Sequence, residues 1–302
     1  MDRAWVYLVT GGCGFLGEKI VELLSQQDYI KEVRVFDSVA REEVKKFTTA
    51  TTLVTVTKGD LRDYNLLLAT MQGVDVVIHT AAVVDYRNTM PFWEMRAINV
   101  GGTENVLRAC CALDIPYVVH TSSISAVGPN TLCEPMFRGN EDTKYSGEVE
   151  LPYGKTKAMA EKLVFEANGK KLSNGGKLTT CIIRANTVYG EKATFLRELY
   201  LSAKARNGVM NYLEPENTER NYTVSALLCN SSSKKRGEKN NISDLFLLLE
   251  RSLCAQLLIQ EIQQGEAELK HRGDMHAFRT GGAGRMSKDA LTERHLLCFK
   301  HG

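Results

Sequence analysis

A strand that runs into glycines and straight on into a helix constrains this chain more than any other feature. In "VYLVTGGCGFLGEKIVELL" (6–24) an apolar run ends at Thr10, and Gly11, Gly14 and Gly17 sit on the turn that opens the next helix. An acidic residue, Asp37, follows 20 positions after Gly17, at the end of the second apolar run. Strand, glycine spacing, helix and acid together make the dinucleotide fingerprint, which a glycine triplet alone would not. Glycines lacking Cβ let the backbone turn tightly and approach a pyrophosphate. The helix start then offers N–H groups and a positive dipole end to the phosphates. Asp37 is placed to accept from both hydroxyls of an adenosine ribose and to repel a 2′-phosphate, which favours NAD over NADP. Phe15 and Leu16, between Gly14 and Gly17, belong to the same cofactor-binding set. Thr80, at the end of the fourth strand run, completes it. Asp60, in "GDL" (59–61), reads equally as a contact to the adenine amino group and as a turn aspartate.

The rest of the first two-thirds supplies the sheet that such a loop needs. "WVYLVT" (5–10), "EVRVFD" (32–37), "LVTVT" (53–57), "DVVIHT" (75–80), "YVVHTS" (117–122) and "LTTCIIR" (178–184) are nearly continuous apolar runs. Runs of that kind suit a parallel sheet covered on both faces. Helical patterns lie between them at 15–27, 65–72, 100–113 and 153–168. The alternation predicts an α/β fold, a doubly wound parallel sheet of Rossmann-like type.

Two segments follow. Residues 1–220 read as an NAD-binding domain and 221–302 as an atypical tail, partly helical or disordered. Residues 221–302 hold no proline, no tryptophan, one valine and three isoleucines, little to build strands from. One amphipathic helix is expected over 243–270, and 272–289 reads as disordered. A net charge of +2 gives no case for nucleic-acid binding, and 43% hydrophobic with 25% charged residues is ordinary for a soluble globular chain. The start does not read as a signal peptide, and no apolar run reaches the roughly 18 residues that cross a bilayer. The eight cysteines, none in a C-x-x-C, read as reduced thiols. No metal is expected.

In "ELPYGKTKAMAEKLV" (150–164) Tyr153 precedes Lys157 by four residues at a helix start. Residues so spaced are neighbours on any helix, so the pair gains meaning only from its context. Oxidising a secondary alcohol with NAD needs a base for the hydroxyl proton. A tyrosine, with a usual pKa of about 10, serves only if a cation stabilises its phenolate. Lys157 supplies that charge and can also hold the nicotinamide ribose. "HTSSIS" (120–125) offers Thr121, Ser122 and Ser123 at a strand end, where open α/β sheets bind ligands. The reading is therefore Tyr153 as acid/base, Lys157 as its tuner and Ser123 as the hydroxyl that orients the substrate oxygen. Asn99 reads either as a hydrogen-bonding group supporting a water link to Lys157 or as a helix-surface residue. His79, His120, Cys110 and Cys111 read as core packing.

The chain resembles the extended short-chain dehydrogenase/reductases, and within them the 3β-hydroxysteroid dehydrogenase/Δ5–Δ4 isomerase family. The carriers are "VTGGCGFLG" (9–17), "VVIHTAAVVD" (76–85), "INVGGTENVL" (98–107), "HTSSISAVGPN" (120–130), "PYGKTKAMAEKLV" (152–164) and "NGGKLTTCIIRANTVYGE" (174–191). "RGNEDT" (138–143) and "EANGKKLSNGG" (166–176) lean toward members acting on C27 sterols of bile-acid synthesis. The likeness covers about 4–220, gives Tyr153, Lys157 and Ser123 the family's catalytic roles, and implies NAD-dependent oxidation of a 3β-hydroxy-Δ5-steroid. It also implies a homodimer associated with the endoplasmic reticulum membrane, facing the cytosol. If the divergent tail abolishes attachment, a cytoplasmic location is expected instead. Ala185 stands where the family usually has a proline, and the family's isomerisation residues are not matched, so the isomerase step is in doubt and the substrate region is incomplete or atypical. Two other readings stand beside this one: a nucleotide-sugar epimerase or other extended reductase, and a catalytically impaired NAD-binding isoform.

Overall fold

Alternating residues of each strand point to opposite faces, and here both faces are covered over the middle of the sheet, so its central strands are buried almost end to end while the edge strand at Leu53–Lys58 buries only Val54. The computed structural model describes residues 4–128, 149–185, 187–189, 192–206, 222–224 and 296–299. Six parallel strands, β1 (Trp5–Thr10), β2 (Ile30–Asp37), β3 (Leu53–Lys58), β4 (Val76–His79), β5 (Tyr117–Ser123) and β6 (Thr179–Ala185), lie in the order β3-β2-β1-β4-β5-β6. That is the doubly wound order, with its reversal between β1 and β4.

The helices are α1 (Phe15–Leu24), α2 (Tyr64–Thr70), α3 (Phe92–Arg96), α4 (Gly102–Ala112), α5 (Pro152–Ala167) and α6 (Thr194–Ala205). On one face of the sheet Leu8, Val77, Val118 and Ile182 pack with Val106 and Ala109 of α4 and Val164 and Ala167 of α5. On the other, Val9, Val35, Ile78, Val119 and Ile183 pack with Ile20, Val21 and Leu24 of α1. Each fully buried side chain of this kind is worth about 1.5–3 kcal/mol, which is what fixes the two layers. Cys110 is buried in the first layer with Cys111 half-buried against it, and Cys13, Cys110, Cys111 and Cys181 are free thiols.

The strands and principal helices match the expected spans within about three residues, but three features differ. A six-residue 3-10 helix (Glu42–Phe47) precedes β3, and α4 is entered through a π-helical turn (Ala97–Gly101). Two short strands also fall in the stretch whose composition argued against strands. β7 (Thr187–Tyr189) pairs in parallel with β8 (Tyr222–Val224), and β9 (Leu296–Phe299) pairs antiparallel with β6. "LLCF" forms an edge strand without β-branched residues because sheet propensity depends on the neighbours a strand packs against more than on branching itself. The expected helix over 243–270 and the stretch 272–289 lie outside the described residues. Among the described residues no helix is long and apolar enough to cross a membrane.

Candidate active site

The glycine turn is built by backbone meeting backbone. Gly11 adopts φ +70°, and a Cβ there would lie 2.7 Å from Ala81 Cα. A Cβ on Gly17 would strike the Gly11 carbonyl oxygen and approach Gly12 Cα to 2.7 Å. The turn therefore closes only without side chains at these points. Gly14 is the extended residue that opens α1, with Phe15 and Leu16 half-buried in its first turn. N–H groups at such a position have no acceptor within the helix. Asp37 is tied to this loop: its carboxylate accepts from Cys13 N at 3.0 Å and from Val39 N at 3.0 Å. Loop and acid thus form one unit, and the cradle fits the pyrophosphate and ribose of a dinucleotide. Thr80 closes the same edge, with N and Oγ1 both donating to the Thr10 carbonyl. Asp60 has the geometry of a turn aspartate. Its carboxylate accepts from Arg62 N and receives the Arg62 guanidinium, which holds it below the usual carboxylate range.

At the C-terminal ends of β4 and β5 a second group assembles. Ser123 ends β5, and its Oγ accepts from Ser125 N at 3.1 Å as the chain turns through a short 3-10 segment. Pro152 at the first position starts α5. A Cβ on Gly154 would collide with the Ser125 carbonyl oxygen, so glycine is what lets α5 lie on that turn. This brings Tyr153 to Ser123, whose hydroxyl hydrogen-bonds the phenol. Lys157 Nζ lies 5.9 Å from the Tyr153 ring centroid and donates to the Thr121 carbonyl at 2.9 Å. Ser123 is therefore brought to the Tyr153 and Lys157 pair from a distant part of the chain, and all three are buried.

Burial pushes the Tyr153 phenol well above its ordinary value, with Tyr86 adding to the rise and the Ser123 hydrogen bond opposing it. Burial also lowers Lys157 to about 8, against the pull of Glu161. At neutral pH the lysine is a cation beside a protonated phenol. Thr121 supplies a backbone carbonyl to Lys157, while Ser122 is buried on the opposite face from Ser123 with no partner for its hydroxyl among the described residues.

Asn99 is buried, which sets aside the helix-surface reading. Its amide accepts from Val83 N at 2.8 Å and donates to Val83 O at 2.9 Å and to Thr156 Oγ1 at 3.0 Å. The π-helical turn carries it away from a helix-surface position, and its hydrogen-bonding groups are taken up by the β4–α3 loop and α5.

His79 and His120 are buried, as core packing requires, and Glu161, Arg184 and Tyr86 join them near the site without having been singled out in the sequence. His79 joins Thr10 Oγ1 through Nδ1 at 2.7 Å and Thr103 Oγ1 through Nε2 at 2.9 Å. Because the Thr103 hydroxyl donates to Asn99 O at 2.7 Å, Nε2 carries the ring proton and Nδ1 accepts from Thr10. Burial lowers His79 to about 3 and His120 well below the usual histidine value, with the Lys157 charge next in effect. Glu161 and Arg184 form a buried ion pair beneath Lys157. Tyr86 lies edge-on to Tyr153 at 5.2 Å. Glu161 did carry a signal, since 153, 157 and 161 share one helical stripe. Tyr86 carried none.

Comparison with known proteins agrees with this arrangement. The profile of the 3-beta hydroxysteroid dehydrogenase/isomerase family matches residues 8–226. Over 215 residues the chain is 41% identical to mouse 3 beta-hydroxysteroid dehydrogenase type 7, covering 71% of this chain and 58% of that protein. Over 196 residues it is 43% identical to the human type 7 protein, covering 65% of this chain and 53% of that one. The chain thus matches little more than half the length of these curated relatives. Among solved structures, MoeE5 in complex with UDP-glucuronic acid and NAD is 27% identical with a TM-score of 0.57, covering 76% of this chain and 73% of that one. DesIV, a dTDP-glucose 4,6-dehydratase from Streptomyces venezuelae with NAD and TYD bound, shares the fold at 24% identity and a TM-score of 0.59, covering 72% and 68%. Cradle, sheet order and sequence agree, and the chain belongs to the 3-beta hydroxysteroid dehydrogenase/isomerase family.

Proposed function

We propose that this chain is an NAD-dependent dehydrogenase that oxidises a 3β-hydroxy-Δ5-steroid to the 3-oxo steroid. The observation that carries the reading is the meeting of Ser123, Tyr153 and Lys157 at the sheet edge that also bears the glycine cradle and Asp37. The 41–43% identity to the type 7 proteins supports the steroid as the substrate class. NAD, when bound, accepts the hydride.

The chain's own residues do the rest. The Ser123 hydroxyl holds the substrate oxygen toward the phenol. Tyr153 takes the alcohol proton, and Lys157 supplies the charge that offsets the burial opposing the phenolate. The buried Lys157 cation acts in a medium where its field is little screened. Gly11, Gly14, Phe15, Leu16, Gly17, Asp37 and Thr80 are assigned to the cofactor.

Purified protein given NAD and a 3β-hydroxy-Δ5-sterol should produce reduced nicotinamide, with UDP-galactose as the competing substrate. Tyr153→Phe should lower kcat by about a hundredfold or more while calorimetry still registers NAD binding. Undiminished turnover by that variant would refute the assignment. Turnover of UDP-galactose alone would move the chain to the nucleotide-sugar enzymes. NAD binding with no sterol turnover by the wild type would mark a catalytically impaired protein.

A further inference from the structure

The β4–α3 loop presents an aromatic ring to the site and is held there from three sides. Val83 is clamped by Asn99, which accepts from its N–H and donates to its carbonyl; the same Asn99 amide donates to Thr156, one residue before Lys157. Asp85 closes the following turn by accepting from Arg87 N at 2.9 Å, Met90 N at 2.7 Å and Thr89 Oγ1 at 3.2 Å. Arg87 then reaches Glu198 of α6 at 2.6 Å. Between these ties stands Tyr86, 56% exposed, its ring set edge-on to Tyr153 with centroids 5.2 Å apart and planes at 66°. That is a preferred aromatic geometry, and it holds a large, open ring directly against the buried phenol. Val84, 55% exposed, adds an aliphatic surface to the same short segment.

The charged groups of this loop are already committed. The Asp85 carboxylate is spent on its own turn, and Arg87, the one cation between Ala81 and Pro91, is paired with Glu198. The loop therefore offers a ligand carbon surface, with no uncommitted charge to meet a diphosphate.

We propose that Tyr86 is a substrate-contacting residue: its ring, with Val84 beside it, forms a fixed apolar wall along which a flat alicyclic alcohol lies while its hydroxyl reaches Tyr153. This rests on the dehydrogenase reading above and adds to it the surface that selects a fused, apolar ring system. The Asn99 clamp makes the wall part of the α5 scaffold, so it needs no rearrangement to meet the substrate.

The test is steady-state kinetics with NAD and a 3β-hydroxy-Δ5-sterol, UDP-galactose in parallel, on the full chain and on Tyr86→Phe and Tyr86→Ala. Tyr86→Phe keeps the ring and should hold the sterol KM within about twofold. Tyr86→Ala removes it and should raise that KM about tenfold or more, the scale of one lost apolar side-chain contact. Its kcat should stay within about threefold, with NAD affinity and melting temperature unchanged. If the wild type oxidises the sterol and Tyr86→Ala leaves KM unaltered, the wall is wrong while the dehydrogenase reading stands. A parallel loss of NAD affinity would make Tyr86 a cofactor or scaffold residue and overturn the proposal. Wild-type turnover of UDP-galactose alone, or of neither substrate, would overturn both.

Discussion

Arg184 and Glu161 meet as a buried ion pair, Arg184 Nε 2.9 Å from Oε1 and Nη2 2.7 Å from Oε2, their side chains 1% and 0% exposed. The pair ties β6 to α5 one helical turn beyond Lys157, and its carboxylate is the charge that opposes the lysine's desolvation. Removing one partner of such a pair is far costlier than replacing both. Glu161→Gln should therefore lower stability by about 3–5 kcal/mol, whereas Glu161→Leu combined with Arg184→Met should cost much less. Urea unfolding of the three proteins measures both. A single-variant loss below about 1 kcal/mol would show that the pair does not anchor the helix.

Lys157 gives a pH dependence of definite sign. Its folded value of about 8 lies below the usual 10.5 because burial disfavours the charge. Above pH 8 the folded lysine releases a proton that the unfolded chain still holds, so stability rises with pH, by about 1.4 kcal/mol per unit at most. Above about pH 10 the trend reverses, since Tyr7 and Tyr153 are both pushed up by burial and the unfolded tyrosines ionise first. Lys157→Met lacks the buried charge. Its stability advantage over the wild type should be largest near pH 7 and shrink toward pH 10. Parallel denaturation curves for the two proteins across that range would contradict this.

The two histidines act at the other end of the scale. Both are neutral in the fold, His79 down to about 3, so below pH 6.5 the unfolded chain gains protons that the folded one refuses. Stability should therefore fall on acidification from about pH 6.5, each ring contributing up to about 1.4 kcal/mol per unit. His120 has no partner for either ring nitrogen among the described residues, so His120→Phe should flatten the acid limb with little loss at pH 7. His79→Phe breaks the bonds to Thr10 and Thr103 and should cost about 1–3 kcal/mol at pH 7, a cost that shrinks toward pH 5 because the variant no longer carries that ring's share of the acid limb. Urea midpoints at pH 7 and pH 5 separate the two. An acid limb unchanged in His120→Phe would remove that ring from the account.

What was legible in the sequence was local. β1 shows as "WVYLVT", α5 by its stripe through Tyr153, Lys157 and Val164, and the cradle by glycines whose spacing is fixed by one turn. What was hidden depends on contacts between distant segments. The hydrogen bond from Thr10 to His79 spans 69 residues, and the bond from Asn99 to Thr156 spans 57. Neither leaves a period to detect. Asn99 also sits in a π-helical turn, where ordinary helical spacing does not hold. β9 was missed because unbranched apolar residues form a strand once an edge is there to receive them.

Gly17 tests the cradle directly. A methyl group there meets the Gly11 carbonyl oxygen, and a backbone atom cannot swing aside as a side chain would. Gly17→Ala should therefore push α1 off the turn, costing about 1–3 kcal/mol of stability. It should also weaken NAD binding by about tenfold or more, because the N–H groups of the first turn move away from where the pyrophosphate would lie. Gly101 is the control: it lies in the helical entry to α4 with open space around it, so Gly101→Ala should be neutral or stabilising by up to about 1 kcal/mol. Thermal melts and NAD calorimetry on both variants give the comparison. Wild-type affinity in Gly17→Ala would mean that the glycine turn does not hold the cofactor, and the assignment of Gly11, Gly14 and Asp37 would fall with it.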